Sequence, residues 1–211
     1  MNSIVLIGAG GHAKVIVSIL RKLRRFDILG YTALENSGEL MGVPFLGLDR
    51  DLAKLADQHK NLTAVLAVGQ VGLGNFRFSL WEKLHVLSIA FPSIVSPNAV
   101  VNEAVSLGES TVVMDGAVIN SGASIGRGAI VNTNSTVEHD VVLADWVHVA
   151  SGATISGGVT IGRFSMIGAG AAVIEGKTVG PGCLIGAGAT VTSDLSEPGV
   201  YVGCPARRIK S

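Results

Sequence analysis

The sequence predicts an α/β domain over residues 1–90, a parallel β-helix over 91–198 and a short C-terminal tail over 199–211, and two observations support this. From Val95 to Leu195 one six-residue pattern repeats without an insertion, and all seventeen opening places, from Val95 through Val191, are Val, Ile or Leu. Ahead of it, the apolar run Ile4–Ile7 passes into Gly8-Ala9-Gly10-Gly11-His12-Ala13, followed by Val15, Ile16, Ile19, Leu20 and Leu23 at helical spacing. That is the order strand, glycine loop, helix.

A fixed period means stacked units, none of which can bury its apolar face alone. Three hexads close one triangular coil of roughly eighteen residues, and neighbouring coils lie about 4.8 Å apart. The fifth place of each hexad is mostly small, as at Ala99, Thr111, Ala117, Ser135 and Ala189, with Lys177 and Leu195 as departures. Aliphatic and small side chains therefore point inward together. The fourth place is Gly, Asn or Asp in thirteen of the seventeen hexads, the residues that best tolerate a left-handed backbone, so each coil is expected to turn there. A helical or two-residue period would not keep Val, Ile and Leu in register over this length.

Composition narrows the function. The chain is 48% hydrophobic but only 5% aromatic, which fits a core of Val, Ile, Ala and Gly. Its formal net charge of zero provides no general attraction to nucleic acid or an anionic membrane, so an anionic ligand must be held locally. Cys183 and Cys204 lack metal-ligand spacing, and Cys183 takes an inward place in its hexad. With no signal-peptide pattern and no apolar run approaching about 18 residues, a cytoplasmic protein is expected.

In the first domain a second strand is expected at Ile28–Tyr31, ending at Thr32. A third runs from Thr63 to Val68 and ends at Gly69-Gln70, and a helix spans Asn75–Lys83. This is a Rossmann-like half-domain. Its glycine loop and helix N-terminus offer free N–H groups to a phosphate, which makes Gly10 and Gly11 ligand-site candidates. A dinucleotide site also wants an acid at the end of the second strand, where Thr32 stands, so an NAD dehydrogenase is disfavoured. His12 either caps the loop or reaches the ligand. Gly69 and Gln70, at the end of a parallel strand, either line the ligand crevice or merely turn the chain.

Two histidines, His139 and His148, fall inside the repeat. His139 holds the third place of its hexad, just before the turn, and so points outward. Eighteen residues on stands Gly157, one coil away, which puts an unhindered N–H near the imidazole. A base beside a preorganised N–H donor is what acyl transfer requires. Asp140 could hold the imidazole in its useful tautomer, although Asp also suits the left-handed corner for backbone reasons alone; Glu138 is the alternative orienting group. Trp146 and Phe164 stand one coil apart at fourth places. As an exposed apolar corner they would be covered by a subunit interface or a cofactor, or would be plain surface. The basic tail Arg207, Arg208 and Lys210 could meet cofactor phosphates or remain a solvated end.

The run Asn132-Thr133-Asn134-Ser135-Thr136-Val137-Glu138-His139-Asp140 is followed by His148, by Ser156-Gly157-Gly158-Val159 and by Gly203-Cys204-Pro205-Ala206-Arg207-Arg208. Together with Gly8-Ala9-Gly10-Gly11-His12 it resembles the NeuD/PglD branch of the hexapeptide-repeat sugar acetyltransferases over essentially the whole chain. The resemblance implies a left-handed β-helix, a homotrimer with active sites between adjacent β-helices, acetyl-CoA as co-substrate and no metal. It also implies N-acetylation of a nucleotide-linked amino sugar, of the 4-amino-4,6-dideoxy type, for bacterial surface glycan synthesis. His139 matches the family's general base and Asp140 its orienting partner. His148 and Gly157 match the thioester contacts, and Ala169, Ala187, Arg207 and Arg208 are implied as further cofactor contacts. Gly10, Gly11, His12, Thr32, Gly69, Gln70 and Asn132 are implied to hold the sugar nucleotide. Relatives that bind UDP-sugars resemble one another in an acidic pair at the end of the second strand, where this chain has Tyr31-Thr32.

O-acetylation of a sialic-acid-like sugar is the close alternative, since it would use the same catalytic residues. A zinc carbonic anhydrase of β-helix type needs three histidine ligands, and the repeat has only two. An ice-binding coil would show a threonine ladder on one outer face, and this chain has none.

Overall fold

The computed structural model describes residues 2–36, 38–87 and 89–210. Its contacts divide the chain into two units, Met1–Gln70 with Phe76–Ser96, and Val71–Asn75 with Pro97–Ser211.

The first unit runs β1 (Asn2–Ile7), α1 (Gly11–Leu23), β2 (Phe26–Ala33), β3 (Phe45–Leu48), a short 3-10 turn, α2 (Leu52–Gln58), β4 (Thr63–Leu66) and α3 (Phe76–His85). The four strands form a parallel sheet in the order β3-β2-β1-β4. Ile4, Val5, Leu6 and Ile7 have no exposed surface, as befits a central parallel strand covered on both faces. α1 buries Ala13, Ile16, Val17, Ile19 and Leu20, so of the predicted stripe Ile16, Ile19 and Leu20 are buried whereas Val15 faces solvent and Leu23 is half-buried, and the helix ends where Arg24 turns left-handed with φ 53°. β3 and α2 carried no clear sequence signal, because β3 is short, half-buried and interrupted by Gly47. The chain leaves β1 for β2 and β3 on one side and returns to β4 on the other. The carboxyl ends of β1 and β4 therefore flank the point where the strand order reverses, the place where such sheets bind ligands.

The second unit is a stack of two-residue strands in three parallel sheets. One holds Ser106–Leu107, Ser124–Ile125, Val142–Leu143, Thr160–Ile161 and Thr178–Val179. Each strand pairs with the one eighteen residues on, as Ser124 with Val142 and Thr136 with Thr154. Every fourth-place residue from Ala104 through Gly188 is left-handed, with φ between 54° and 77°, Trp146 and Phe164 included. The repeat thus imposes the turn even where the side chain disfavours it, at a cost of roughly 1–2 kcal/mol per such residue. First-place side chains from Val113 through Val191 are at most 2% exposed. Fifth-place hydroxyls inside the coil are satisfied locally, Ser135 Oγ donating to Asn132 O at 2.7 Å and Ser165 Oγ to Gly180 O at 2.8 Å.

The Trp146 corner departs from expectation. Trp146 is only 2% exposed within its own chain, and a Cβ on Gly128, one coil below, would collide with its ring. The missing side chain of Gly128 is what accommodates the indole, so no partner is needed to cover it. Phe164 is half-buried, with the Arg163 guanidinium 4.5 Å from its ring centre.

Past the last hexad, Gly199–Val202 joins the sheet beside Cys183–Ile185, and Arg207–Lys210 returns antiparallel to it. Glu197 fastens this end. Its carbonyl accepts the Tyr201 hydroxyl at 2.7 Å and the Cys183 thiol at 3.3 Å, and its carboxylate takes Arg208 Nη1 at 2.6 Å.

Candidate active site

His139 leaves the coil just after the strand Thr136–Val137, and its side chain is 60% exposed. Its Nδ1–H donates to Asp140 Oδ2 at 2.9 Å, which leaves Nε2 as the free, basic nitrogen. A Cβ on Gly157 would lie 2.6 Å from Nε2 and 2.7 Å from Cε1, so the imidazole leans into the space that Gly157 leaves open. The Gly157 N–H has no acceptor among the described residues, whereas its carbonyl accepts Gly176 N–H at 2.9 Å. Base and donor are therefore neighbours across one coil. The His139 pKa is raised, first by the hydrogen bond to Asp140; desolvation opposes this, and the charges of Asp140, Glu138 and Glu175 add to it.

Asp140 does two things, since its φ of 57° makes the corner while its carboxylate holds the His139 imidazole. Glu138 is engaged elsewhere. Its Oε2 accepts Asn120 Nδ2 at 2.7 Å, and Asn120 Oδ1 accepts Asn102 Nδ2 at 2.6 Å. These three residues occupy the same hexad place on successive coils. Asn102 and Asn120 were missed in the sequence, although polar residues recurring every eighteen positions on one outer face were the available signal.

Asn132 sits at a different corner of the coil, between the strands Ile130–Val131 and Thr136–Val137, and His148 lies in the buried strand His148–Val149 paired with Ile130–Val131. Asn132 Oδ1 accepts Thr133 N–H at 2.7 Å, which turns its Nδ2 donor toward His148 Nε2 at 3.2 Å. The His148 proton then resides on Nδ1. Ala169 and Ala187 stand exposed in one column further along this corner, joined by Gly188 N–H donating to Ala169 O at 2.9 Å. Within one chain, then, Gly157 among the implied cofactor contacts lies beside His139, whereas His148, Ala169 and Ala187 lie at a different corner.

Arg207 and Arg208 differ from each other. Arg208 donates to Glu197 and the Pro198 carbonyl, while among the described residues the Arg207 guanidinium meets its neighbour Ala206 O at 3.0 Å. The Lys210 side chain lies outside the described residues.

In the first unit, the implied ligand residues collect at the carboxyl ends of β1, β2 and β4. Gly10 caps α1 with no acid in the helix's first turn, and a Cβ at Gly10 or Gly11 would meet nothing within 4 Å. This is an open, partially positive helix terminus suited to a phosphate. Gly8 N–H donates to Thr32 O at 2.8 Å, tying the loop to β2. The Thr32 hydroxyl is buried with no partner among the described residues. His12 packs against Gly69, where a Cβ would lie 3.4 Å from the His12 Cβ, and Gln70 follows half-buried.

The nucleophilic side chains Cys183 and Ser135 are not placed to compete with His139. Cys183 is fully buried, and burial pushes its thiol pKa up, opposed by Arg208. Ser135 is also fully buried. Among the described residues no cluster of His, Cys, Asp or Glu is placed to hold a metal, and no helix is long and apolar enough to cross a membrane.

An oriented imidazole on a hexapeptide coil, with an N–H donor beside it, fits the class of hexapeptide-repeat acyltransferases. Residues 3–73 match the PglD N-terminal domain. The whole chain is 32% identical to a histidine-to-alanine mutant of GDP-perosamine N-acetyl transferase from Caulobacter crescentus, solved in complex with CoA and GDP-perosamine. That match has a TM-score of 0.92 and covers 100% of this chain and 98% of that one. The acetyltransferase domain of PglB from Neisseria gonorrhoeae, in complex with acetyl coenzyme A, is also 32% identical, with a TM-score of 0.89 over 99% of this chain and 100% of that one. WeeI from Acinetobacter baumannii shares the fold at 24% identity and a TM-score of 0.87. No curated protein sequence matches significantly. The chain belongs to the PglD-like sugar acetyltransferases of the hexapeptide-repeat superfamily, and its coil is the left-handed parallel β-helix of that family.

Proposed function

We propose that the protein transfers the acetyl group of acetyl-CoA to the amino group of a nucleotide-linked 4-amino-4,6-dideoxy sugar destined for a surface glycan. The observation behind this is the pairing of His139 Nε2 with Gly157, fixed from the other side by Asp140 at 2.9 Å. Nε2 takes a proton from the acceptor nitrogen, which attacks the thioester carbonyl carbon. The Gly157 N–H stabilises the oxyanion as it forms. The C–S bond then breaks, the amide remains on the sugar, and the sulfur leaves as CoA thiol once it has taken up a proton. A 4-amino sugar is the preferred acceptor because the relative from Caulobacter crescentus is named for GDP-perosamine and was solved with it.

The first unit holds the nucleotide, with Gly10, Gly11, His12, Thr32, Gly69 and Gln70 around its phosphates and sugar; Asn132 contacts the acceptor sugar. CoA runs along His148, Ala169 and Ala187, with Arg207 at its phosphates. Because that track and His139 lie on separate corners of one coil, a neighbouring chain must bring the two together. This favours a homotrimer, working in the cytoplasm where both substrates are made.

The test is His139→Ala, assayed for CoA release with GDP-perosamine, alongside intact-protein mass spectrometry after acetyl-CoA alone. A loss of roughly 10²- to 10⁴-fold in kcat with substrate binding retained is expected, and no acetylated enzyme. Retained activity would remove His139 from the mechanism. A stable acetyl-enzyme would replace direct transfer with a two-step route.

A further inference from the structure

We propose that Glu138 reads the charge of the acceptor: held by a ladder of two asparagine side chains, its carboxylate receives the ammonium of the incoming sugar beside His139. The inference builds on the amino-sugar reading above. Glu138 is half-buried, and among the described residues only its Oε2 is taken, by Asn120, which Asn102 steadies from the coil before. No cation pairs with it among the described residues. A half-buried carboxylate fixed by neutral donors, with its second oxygen open, is preorganised to accept a cationic donor.

Its surroundings point the same way. Asp140 flanks His139 in sequence, and Glu175 stands two coils on in the column that holds His139 and Gly157. Asp140 thus touches the imidazole at 2.9 Å, and the charges of Glu138 and Glu175 reach it as well. The chain as a whole is neutral, so this negative field is local to the base. Such a field attracts an ammonium and repels a carboxylate. It therefore separates the two acceptor classes that the catalytic residues leave equal, favouring an amino sugar and excluding a sugar acid of the sialic type.

The ladder also explains why Glu138 does not orient the base. An asparagine amide spends one N–H on the next rung, and the second rung fixes the carboxylate rotamer from a distance of two coils. Asn102 is then a positioning residue, remote from the chemistry yet coupled to acceptor binding.

The experiment compares wild type, Glu138→Gln and Asn102→Ala in steady-state kinetics with acetyl-CoA and GDP-perosamine. Calorimetric binding of GDP-mannose, which carries no amine, accompanies it. Glutamine keeps the acceptor for Asn120 and removes only the charge. Glu138→Gln should raise KM for GDP-perosamine about tenfold, leave KM for acetyl-CoA and the Kd of GDP-mannose unchanged, and keep the melting temperature. Asn102→Ala should raise the same KM by about threefold. Between about 0.05 and 0.5 M salt the wild-type KM should climb more than that of Glu138→Gln, a response that a merely structural role would not produce. An unchanged KM in Glu138→Gln, or equal rises for both substrates, overturns the inference while leaving the acetyltransferase reading intact. No wild-type turnover with any nucleotide-linked amino sugar overturns that reading, and this inference with it.

Discussion

Gly157→Ala isolates the geometry of the base from everything else in the fold. The added methyl carbon would lie 2.6 Å from His139 Nε2 and 2.7 Å from Cε1, whereas non-bonded carbon contacts settle near 3.5–4.0 Å, so the ring must retreat by about 1 Å. A misplacement of that size costs about 10²-fold in rate. The backbone itself does not object. Gly157 is not among the left-handed glycines, so alanine fits without strain and should even stabilise the fold by about 0.4–1 kcal/mol through the unfolded chain. The expected variant is therefore at least as stable as wild type and about 10²-fold slower in kcat. Gly182→Ala is the matching control, with φ 67° and only Pro198 Cβ at 3.4 Å: it should cost about 1–2 kcal/mol in stability and leave kcat alone. Thermal melts and a thiol assay for released CoA measure both quantities. If Gly157→Ala melts normally and turns over at the wild-type rate, His139 does not act from the position described.

Asp140→Asn should shift the acidic limb of kcat/KM to lower pH. Asp140 raises the His139 pKa, the base works only when deprotonated, and losing the carboxylate lets it deprotonate sooner, while the plateau falls by less than in His139→Ala. A pH–rate profile whose limb does not move would show that the limb belongs to another group. Trp146→Ala should cost about 3–5 kcal/mol in denaturant melts, because the indole is buried over Gly128 within one chain; a loss of assembly with stability intact would contradict that. His12→Ala should raise KM for the nucleotide sugar and spare that for acetyl-CoA, and equal changes would refute the division of labour between the two units.

How much could be read in advance follows from which forces are local. The seventeen aliphatic places and the fourth-place turns were legible because a repeat writes the same packing requirement again and again. Trp146 was misread for the same reason. Its neighbour in sequence says corner, and only its neighbour in the stack, Gly128, says that the corner has room. β3 and α2 went unread because they are short and partly exposed, and β3 owes its place to pairing with β2 more than to its own pattern.

The glycines of the coil show what the single-residue reading lacked. Gly122 lies one coil below Asp140, and a Cβ there would meet Asp140 Oδ1 at 2.7 Å; Gly128 stands in the same relation to Trp146. Fourth-place side chains thus fold back toward the preceding coil. His139 does the opposite, leaning forward to Gly157. Asp140 and His139 are adjacent in sequence yet are accommodated by glycines on opposite sides, and Nδ1 and Oδ2 still meet at 2.9 Å. Filling Gly122 should therefore disturb the orienting carboxylate and filling Gly157 the base, two separable defects in one catalytic pair. Read at intervals of eighteen, Gly116, Gly122 and Gly128 leave the space taken by the side chain one coil on, and Gly157 leaves the space taken by His139 one coil before.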